Sequence, residues 1–390
     1  MSETALSKRK VIPVFALAHF SHHLCTGSLV PLLPLIRISF DLEYFESGLL
    51  VSAFSLAYGF GGPPAAWLAD RVSRRRLIAA GLIGVSLSAM AVGVCRSYYQ
   101  LAALLAVMGL LGASYHAPAS SLLSSMLSSK ERGRSLGFHI VGGSSAFLVT
   151  PILAGAIATL MGWSWAFMLL SLPALLVAMA LAGMLRGPEA IAVKTATAQT
   201  EGRASLLGVT RALGGIVVVA IALQVVGSAF STYLPLFLAG AHGVDPALAG
   251  TLGGLAIGSG VLGAPVGGAL SDRLGRKPVI LVSLVATGPL IYLVAVLGYG
   301  PLLIGAMALY GVLMSMRMAP MESLIADVVP LNKRATVLGI YYFLGQETAG
   351  VATPLVGKVI DAIGPSSTFL HIAVLTTLLA LLTLLFRRQL

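Results

Sequence analysis

Twelve long apolar stretches separated by short polar turns constrain this chain more than any other feature. They fall at about 11–36, 47–69, 77–95, 98–127, 135–160 and 163–185, and again at about 208–240, 247–270, 278–297, 300–328, 335–362 and 366–386. Crossing a hydrocarbon layer of roughly 30 Å takes about 20 helical residues, and each stretch is long enough. A backbone in that layer has no water to bond, so a span must satisfy its own N–H and C=O groups, as a helix does. Composition agrees: 57% of residues are hydrophobic and 10% charged, against about 25% charged in an ordinary soluble domain. The expectation is an all-α integral membrane protein with twelve transmembrane helices. The start, Lys8-Arg9-Lys10 and then an apolar run, has the look of a signal peptide. That run continues to about Ile36 with no small-residue cleavage site, so it reads as the first span.

The formal charge of +11 does not point to nucleic acid, because the bases lie in short turns and no nucleic-acid-binding pattern accompanies them. Alternating the turns from an N-terminus on the inside puts all 25 lysines and arginines on one side, except Arg37, Arg96, Lys358 and the intramembrane Arg317. The positive-inside rule then places both termini in the cytoplasm and the chain in the cell (inner) membrane. The polar run from Arg186 to Ser205 divides the spans six and six. The expected organisation is a bundle at 1–185, a cytoplasmic linker at 186–207 and a second bundle at 208–390. Cys25 and Cys95 lie in or beside apolar segments and offer neither a disulfide framework nor a metal set.

The two halves repeat. Gly268-Ala-Leu-Ser-Asp272-Arg273-Leu-Gly275-Arg276-Lys277 has a weaker copy, Ala66-Trp-Leu-Ala-Asp70-Arg71-Val-Ser73-Arg74-Arg75, 202 positions earlier. The same spacing relates Gly48 to Gly250, Pro63 to Pro265, Ala117-Pro118 to Ala319-Pro320, Arg132 to Arg334 and Gly143 to Gly345. One register kept through four spans implies shared ancestry and two pseudo-symmetric six-helix bundles.

In these residues the sequence resembles the major facilitator superfamily, whose turn signature is complete at Gly268–Lys277; in the first half Ala66 and Ser73 replace both glycines. The resemblance implies a cavity lined mainly by spans one, four, seven and ten. It also implies that Asp70, Arg71, Asp272, Arg273 and Arg276 latch one side of the molecule in one conformation. Gly109–Ser121 is similar to fosmidomycin-resistance-type efflux proteins over about fifteen residues. The arginine that drug:proton antiporters carry early in span four is absent, and their span-five signature is degraded at Thr150–Gly155.

Ionisable groups inside spans are expensive and therefore informative. His19, His22 and His23, at i, i+3 and i+4, share one helix face with Thr26. His116 lies about eleven residues, roughly 16 Å, from the cytoplasmic end of span four. Arg317 and Glu347 are as deep; Glu322 and His139 sit nearer the cytoplasm. The candidate solute and proton site is therefore His22, His23, His116, Arg317, Glu322 and Glu347. No carboxylate or cysteine shares the histidine faces, so no metal site is expected. Arg317 cannot deprotonate and demands an anionic partner; Glu347 is the expected one. His139 is expected to serve as a helix–helix hydrogen-bonding residue.

No Walker loop, nucleophile elbow or dinucleotide fingerprint occurs, which argues against an ATP-driven pump, an enzyme or a bound cofactor. The expectation is a monomeric secondary transporter in the lipid bilayer, moving a small anionic or amphipathic solute by alternating access. Coupling is to protons, with Glu347 the first carrier and the histidines the second. Efflux leads on the fosmidomycin-type resemblance, proton symport is the alternative, and a non-transporting receptor or scaffold is the rival from another class.

Overall fold

The computed structural model describes residues 8–69, 71–126, 129–184, 206–329 and 334–385. Sixteen α-helices account for them. In chain order they are α1 (Lys8–Thr26), α2 (Leu29–Ser39), α3 (Tyr44–Ala69), α4 (Arg74–Gly93), α5 (Tyr98–Gly112), α6 (His116–Ser125), α7 (Ser129–Met161) and α8 (Trp163–Met184). After these come α9 (Leu206–His242), α10 (Pro246–Gly258), α11 (Gly260–Leu274), α12 (Arg276–Val296), α13 (Pro301–Met316), α14 (Met318–Val328), α15 (Arg334–Ile363) and α16 (Pro365–Leu385). The pairs α1/α2, α5/α6, α10/α11 and α13/α14 are each one span broken in the middle, so sixteen helices make twelve spans. Among the described residues, nine helical stretches are long and apolar enough to cross a membrane by themselves.

Three of the four breaks have a cause that can be read in the chain. A proline removes the N–H that would bond the carbonyl four residues back, and its ring crowds that carbonyl. Counting back four from Pro31, Pro118 and Pro320 gives Gly27, Ser114 and Met316, at or within two residues of the ends of α1 (Thr26), α5 (Gly112) and α13 (Met316). Pro118 and Pro320 are repeat-related, so spans four and ten break at equivalent places. Tyr115 stands at one break and Arg317 at the other, each in the residue just before the second helix.

The chain forms two compact units, Met1–Asp41 with Leu49–Ala196, and Leu42–Gly48 with Thr197–Leu390. In the first, α4 packs on α8 and α5, and α1 on α7 and α8; Phe15, Ile78, Leu82, Tyr115, Leu123 and Ala178 are among its buried core. The second repeats this pattern: α12 packs on α16 and α13, and α9 on α15 and α16, around Leu223, Ile280, Leu284, Met321 and Ile325. The same spans therefore pair in both units, as two pseudo-symmetric six-helix bundles require. Large apolar side chains such as Leu160, Leu176, Leu262 and Leu302 point outward, which suits a lipid surround. The first turn of α3 belongs to the second unit, where the Asp361 carboxylate accepts the Tyr44 and Phe45 N–H groups at 2.8 and 2.9 Å. A helix N-terminus leaves such donors unsatisfied, and a carboxylate is their best acceptor.

Candidate functional site

In the first unit the break in span four is met by the histidine face of span one. His22 is fully buried and stacks on Tyr115, with ring centroids 4.9 Å apart and planes 16° apart. The Tyr115 hydroxyl donates to the Phe15 carbonyl at 3.3 Å. His116, the first residue of α6, lies 4.9, 5.0 and 5.2 Å by ring centroid from His19, His22 and His23. The structure thus brings the expected His22, His23 and His116 together and adds His19, His139 and Tyr58 around them. His139 takes the helix–helix role anticipated for it: its Nδ1–H donates to the Phe15 carbonyl at 3.0 Å. In the same layer His19 donates through Nδ1 to the His139 carbonyl at 2.7 Å.

The absence of metal spacing in the sequence does not carry over to the fold. One ring nitrogen from each of His19, His23 and His116 lies within 4.8 Å of the other two. Helical spacing supplies the first pair, and only the packing of α6 on α1 brings the third, which no local pattern could reveal.

In the second unit, Arg317 is 1% exposed. One guanidinium nitrogen donates to Gln224 Oε1 on α9 at 3.1 Å, and another contacts Met314 Sδ at 3.1 Å. Tyr310 and Tyr341 are its electrostatic neighbours, and Tyr310 ties α13 to α9 by donating to the Gly227 carbonyl at 2.9 Å. Tyr341 also senses Glu322, so the α14 carboxylate belongs to the same neighbourhood. Glu347, 8% exposed, has no hydrogen-bond partner for either carboxylate oxygen. The expected Arg317–Glu347 ion pair is therefore not made. Arg317 sits at the α13/α14 break and is directed to α9, while Glu347 stays on α15. The guanidinium rests on neutral acceptors, and among the described residues no carboxylate bonds it. Gln224, which sequence reasoning passed over, was findable as the amide in span seven.

The charged turns close differently in the two halves. Gly275 takes φ +88° between α11 and α12, a left-handed conformation that glycine adopts without strain. Its counterpart Ser73 stays at φ −58° and caps α4 by accepting the Arg76 N–H at 3.4 Å. Arg276 pairs with Asp327 at the end of α14 and donates to the Ser323 carbonyl at 2.8 Å; Asp327 was not anticipated, and Ser125 stands at its repeat position. Arg71 lies over the Trp67 ring, 3.9 Å from its centroid. Asp272 and Arg273 are exposed, and Asp70 lies outside the described residues.

Two six-span units with polar residues set at breaks inside their spans describe a multi-pass membrane protein. Residues 15–266 and 216–389 match the Major Facilitator Superfamily, and the chain belongs to that family, which makes it a transporter rather than an enzyme. It is 27% identical over 354 residues to a "Probable 4-methylmuconolactone transporter" of Cupriavidus pinatubonensis, covering 85% of this chain and 79% of that one. It is 28% identical over 167 residues to quinolone resistance protein NorB of Staphylococcus aureus, covering 43% and 36% of the two chains. Among solved structures, a bacterial homologue of the human lysosomal transporter Spinster in an inward-facing, occupied conformation superposes with a TM-score of 0.83. It is 17% identical, over 100% of this chain and 98% of that one.

Proposed function

We propose that the protein is a proton-coupled symporter of a small organic anion, held in the second unit by Arg317 with Gln224. The observation that carries this is the pair of uncompensated groups: a buried guanidinium on neutral acceptors and a buried carboxyl, Glu347, without a partner. A charge left in an apolar layer without its counterion is costly. An anion drawn to Arg317 meets the negative charge of an ionised Glu347 within the same low-dielectric unit, so a proton on Glu347 lowers the cost of binding it and the two species favour binding together. The relative matching 85% of the chain, named for carrying a small organic solute, supports the same reading. Symport is preferred here to the efflux that the short span-four resemblance favoured, because exchange requires the solute to bind the ionised Glu347 carboxylate, and an anionic solute is repelled by it.

The same reading places the protein in the cell membrane as a monomer, both termini cytoplasmic, with Glu322 at the margin of the site. The charged turns with Asp70, Arg71, Asp272, Arg273 and Arg276 act as the conformational latch. Efflux of amphipathic drugs is the second reading, favoured by the partial match to NorB. The deciding experiment is a thermal-shift screen of the purified protein against organic carboxylates and amphipathic cations at pH 5.5 and 7.5. The proposal requires carboxylates to stabilise the protein, more strongly at pH 5.5; stabilisation by cations alone refutes it.

A further inference from the structure

We propose that His19, His23 and His116 form a three-histidine binding site for a divalent transition-metal ion of the zinc type, lying within the first unit. It is independent of the organic-anion reading, which rests on the second. Three features of the geometry carry it.

The donors converge. One ring nitrogen from each of the three residues lies within 4.8 Å of the others. Tetrahedral zinc with Zn–N of about 2.0 Å needs its nitrogens about 3.3 Å apart. Binding would draw the nitrogens together by at most about 1.5 Å, a distance within reach of side-chain rotation.

The rings are also oriented as metal ligands are. A ligating histidine characteristically donates its other N–H to a carbonyl or hydroxyl, which fixes the tautomer and aims the lone pair. His19 donates Nδ1–H to the His139 carbonyl at 2.7 Å, and its Nε2 is buried with no partner in the protein. His19 is 8% exposed, so this is an unpartnered acceptor on a side chain more than nine-tenths buried, in a ring whose centroid lies 4.9 Å from those of both His23 and His116. The Thr26 hydroxyl donates to the His22 carbonyl at 3.1 Å, so its oxygen is left to accept from His23 Nδ1–H at 3.3 Å. That again leaves Nε2 as the bare nitrogen. Two of the three histidines thus present the tautomer a metal requires.

Finally, the fold makes room for the ring it needs. A Cβ built at Gly143 on α7 would stand 2.5–2.6 Å from three atoms of the His19 ring, so only glycine lets that ring lie where it does. His139 stacks on the His19 ring, with centroids 4.2 Å apart and planes 23° apart. An all-imidazole donor set suits zinc, copper or nickel, and not magnesium or calcium, which take oxygen ligands. Three protein ligands leave a fourth position for water or an anion, the arrangement of an open rather than a closed site.

The test uses the full-length protein, purified without a histidine tag and stripped with chelator. Cobalt(II) is titrated and followed in the visible, then displaced by zinc. One equivalent per chain with the intense bands of tetrahedral cobalt is expected. His19→Gln, His23→Gln and His116→Gln should each weaken binding by about 100-fold or more, since even substitutions behind the ligands cost about 10- to 100-fold. His242→Gln and His371→Gln, outside the cluster, should bind as wild type. Because a cluster variant could fail to fold, zinc-edge X-ray absorption on the wild type provides a second reading, with three imidazole nitrogens at about 2.0 Å expected. Binding that survives all three substitutions, no saturable cobalt site, or a zinc shell without imidazole overturns the proposal.

Discussion

Replacing Arg317 by methionine separates a residue kept for solute from one kept for the fold. An arginine at the centre of a span costs about 2.5–3.5 kcal/mol on insertion scales. Here it rests on Gln224 Oε1 and Met314 Sδ. Methionine fills a similar volume, beside Met314 and Met316, without the charge. The substitution strands the Gln224 oxygen, at a cost of about 1–3 kcal/mol. The difference leaves the variant about as stable as wild type or up to about 2.5 kcal/mol more stable. At about 2–4 °C per kcal/mol for units of this size, Tm should stay level or rise by a few degrees. Anion binding should collapse. Two charge-assisted hydrogen bonds at about 1.5–3 kcal/mol each amount to about a 10²- to 10⁴-fold loss. The assays are thermal unfolding by intrinsic fluorescence and isothermal titration with the tightest carboxylate from the screen. A Tm more than about 5 °C below wild type, or an affinity within threefold of it, refutes the reasoning. In that case Arg317 is a structural residue whose charge the fold itself compensates.

Glu347→Gln should keep anion affinity nearly constant with pH, whereas wild-type affinity should fall by up to tenfold per unit as pH rises and the proton taken up on binding becomes scarce; Kd measured from pH 5 to 8 checks this. Asp327→Asn removes a partly exposed ion pair with Arg276, so thermal unfolding should show a loss of no more than about 1 kcal/mol. Asp272→Asn should shift the inward–outward population without unfolding the protein, seen as altered distance distributions by double electron–electron resonance between labels on the motif-bearing ends. Unchanged distributions would count against the latch.

The spans were legible because lipid imposes one rule on every residue of a segment, and hydropathy records it over about 20 positions at once. The repeat was legible for the same reason, as register over hundreds of residues. The breaks were half legible. Pro31, Pro118 and Pro320 mark theirs, yet α3, α7, α8, α9, α12 and α15 run on across interior prolines, so proline alone does not announce a break. Site residues were legible as candidates through their cost in lipid: Arg317, Glu347 and the histidines stand out in apolar runs. Their partners were not. Arg317 turns to Gln224, 93 positions away, and Arg276 to Asp327; such pairings depend on helix rotation and on the break at 317. The histidine triad joins a helical i, i+4 pair to a residue on another span; sequence showed the shared face and the depth of His116, but not that the three rings meet.

Proton-coupled anion symport is tested most directly in liposomes carrying the purified protein and loaded with a pH-sensitive dye. The tightest carboxylate from the screen is added outside, with protein-free liposomes as the control for passive acid entry. Symport predicts lumenal acidification that depends on the protein and is lost in Glu347→Gln. Lumenal alkalinisation on adding the carboxylate would mean exchange against protons and would contradict the account.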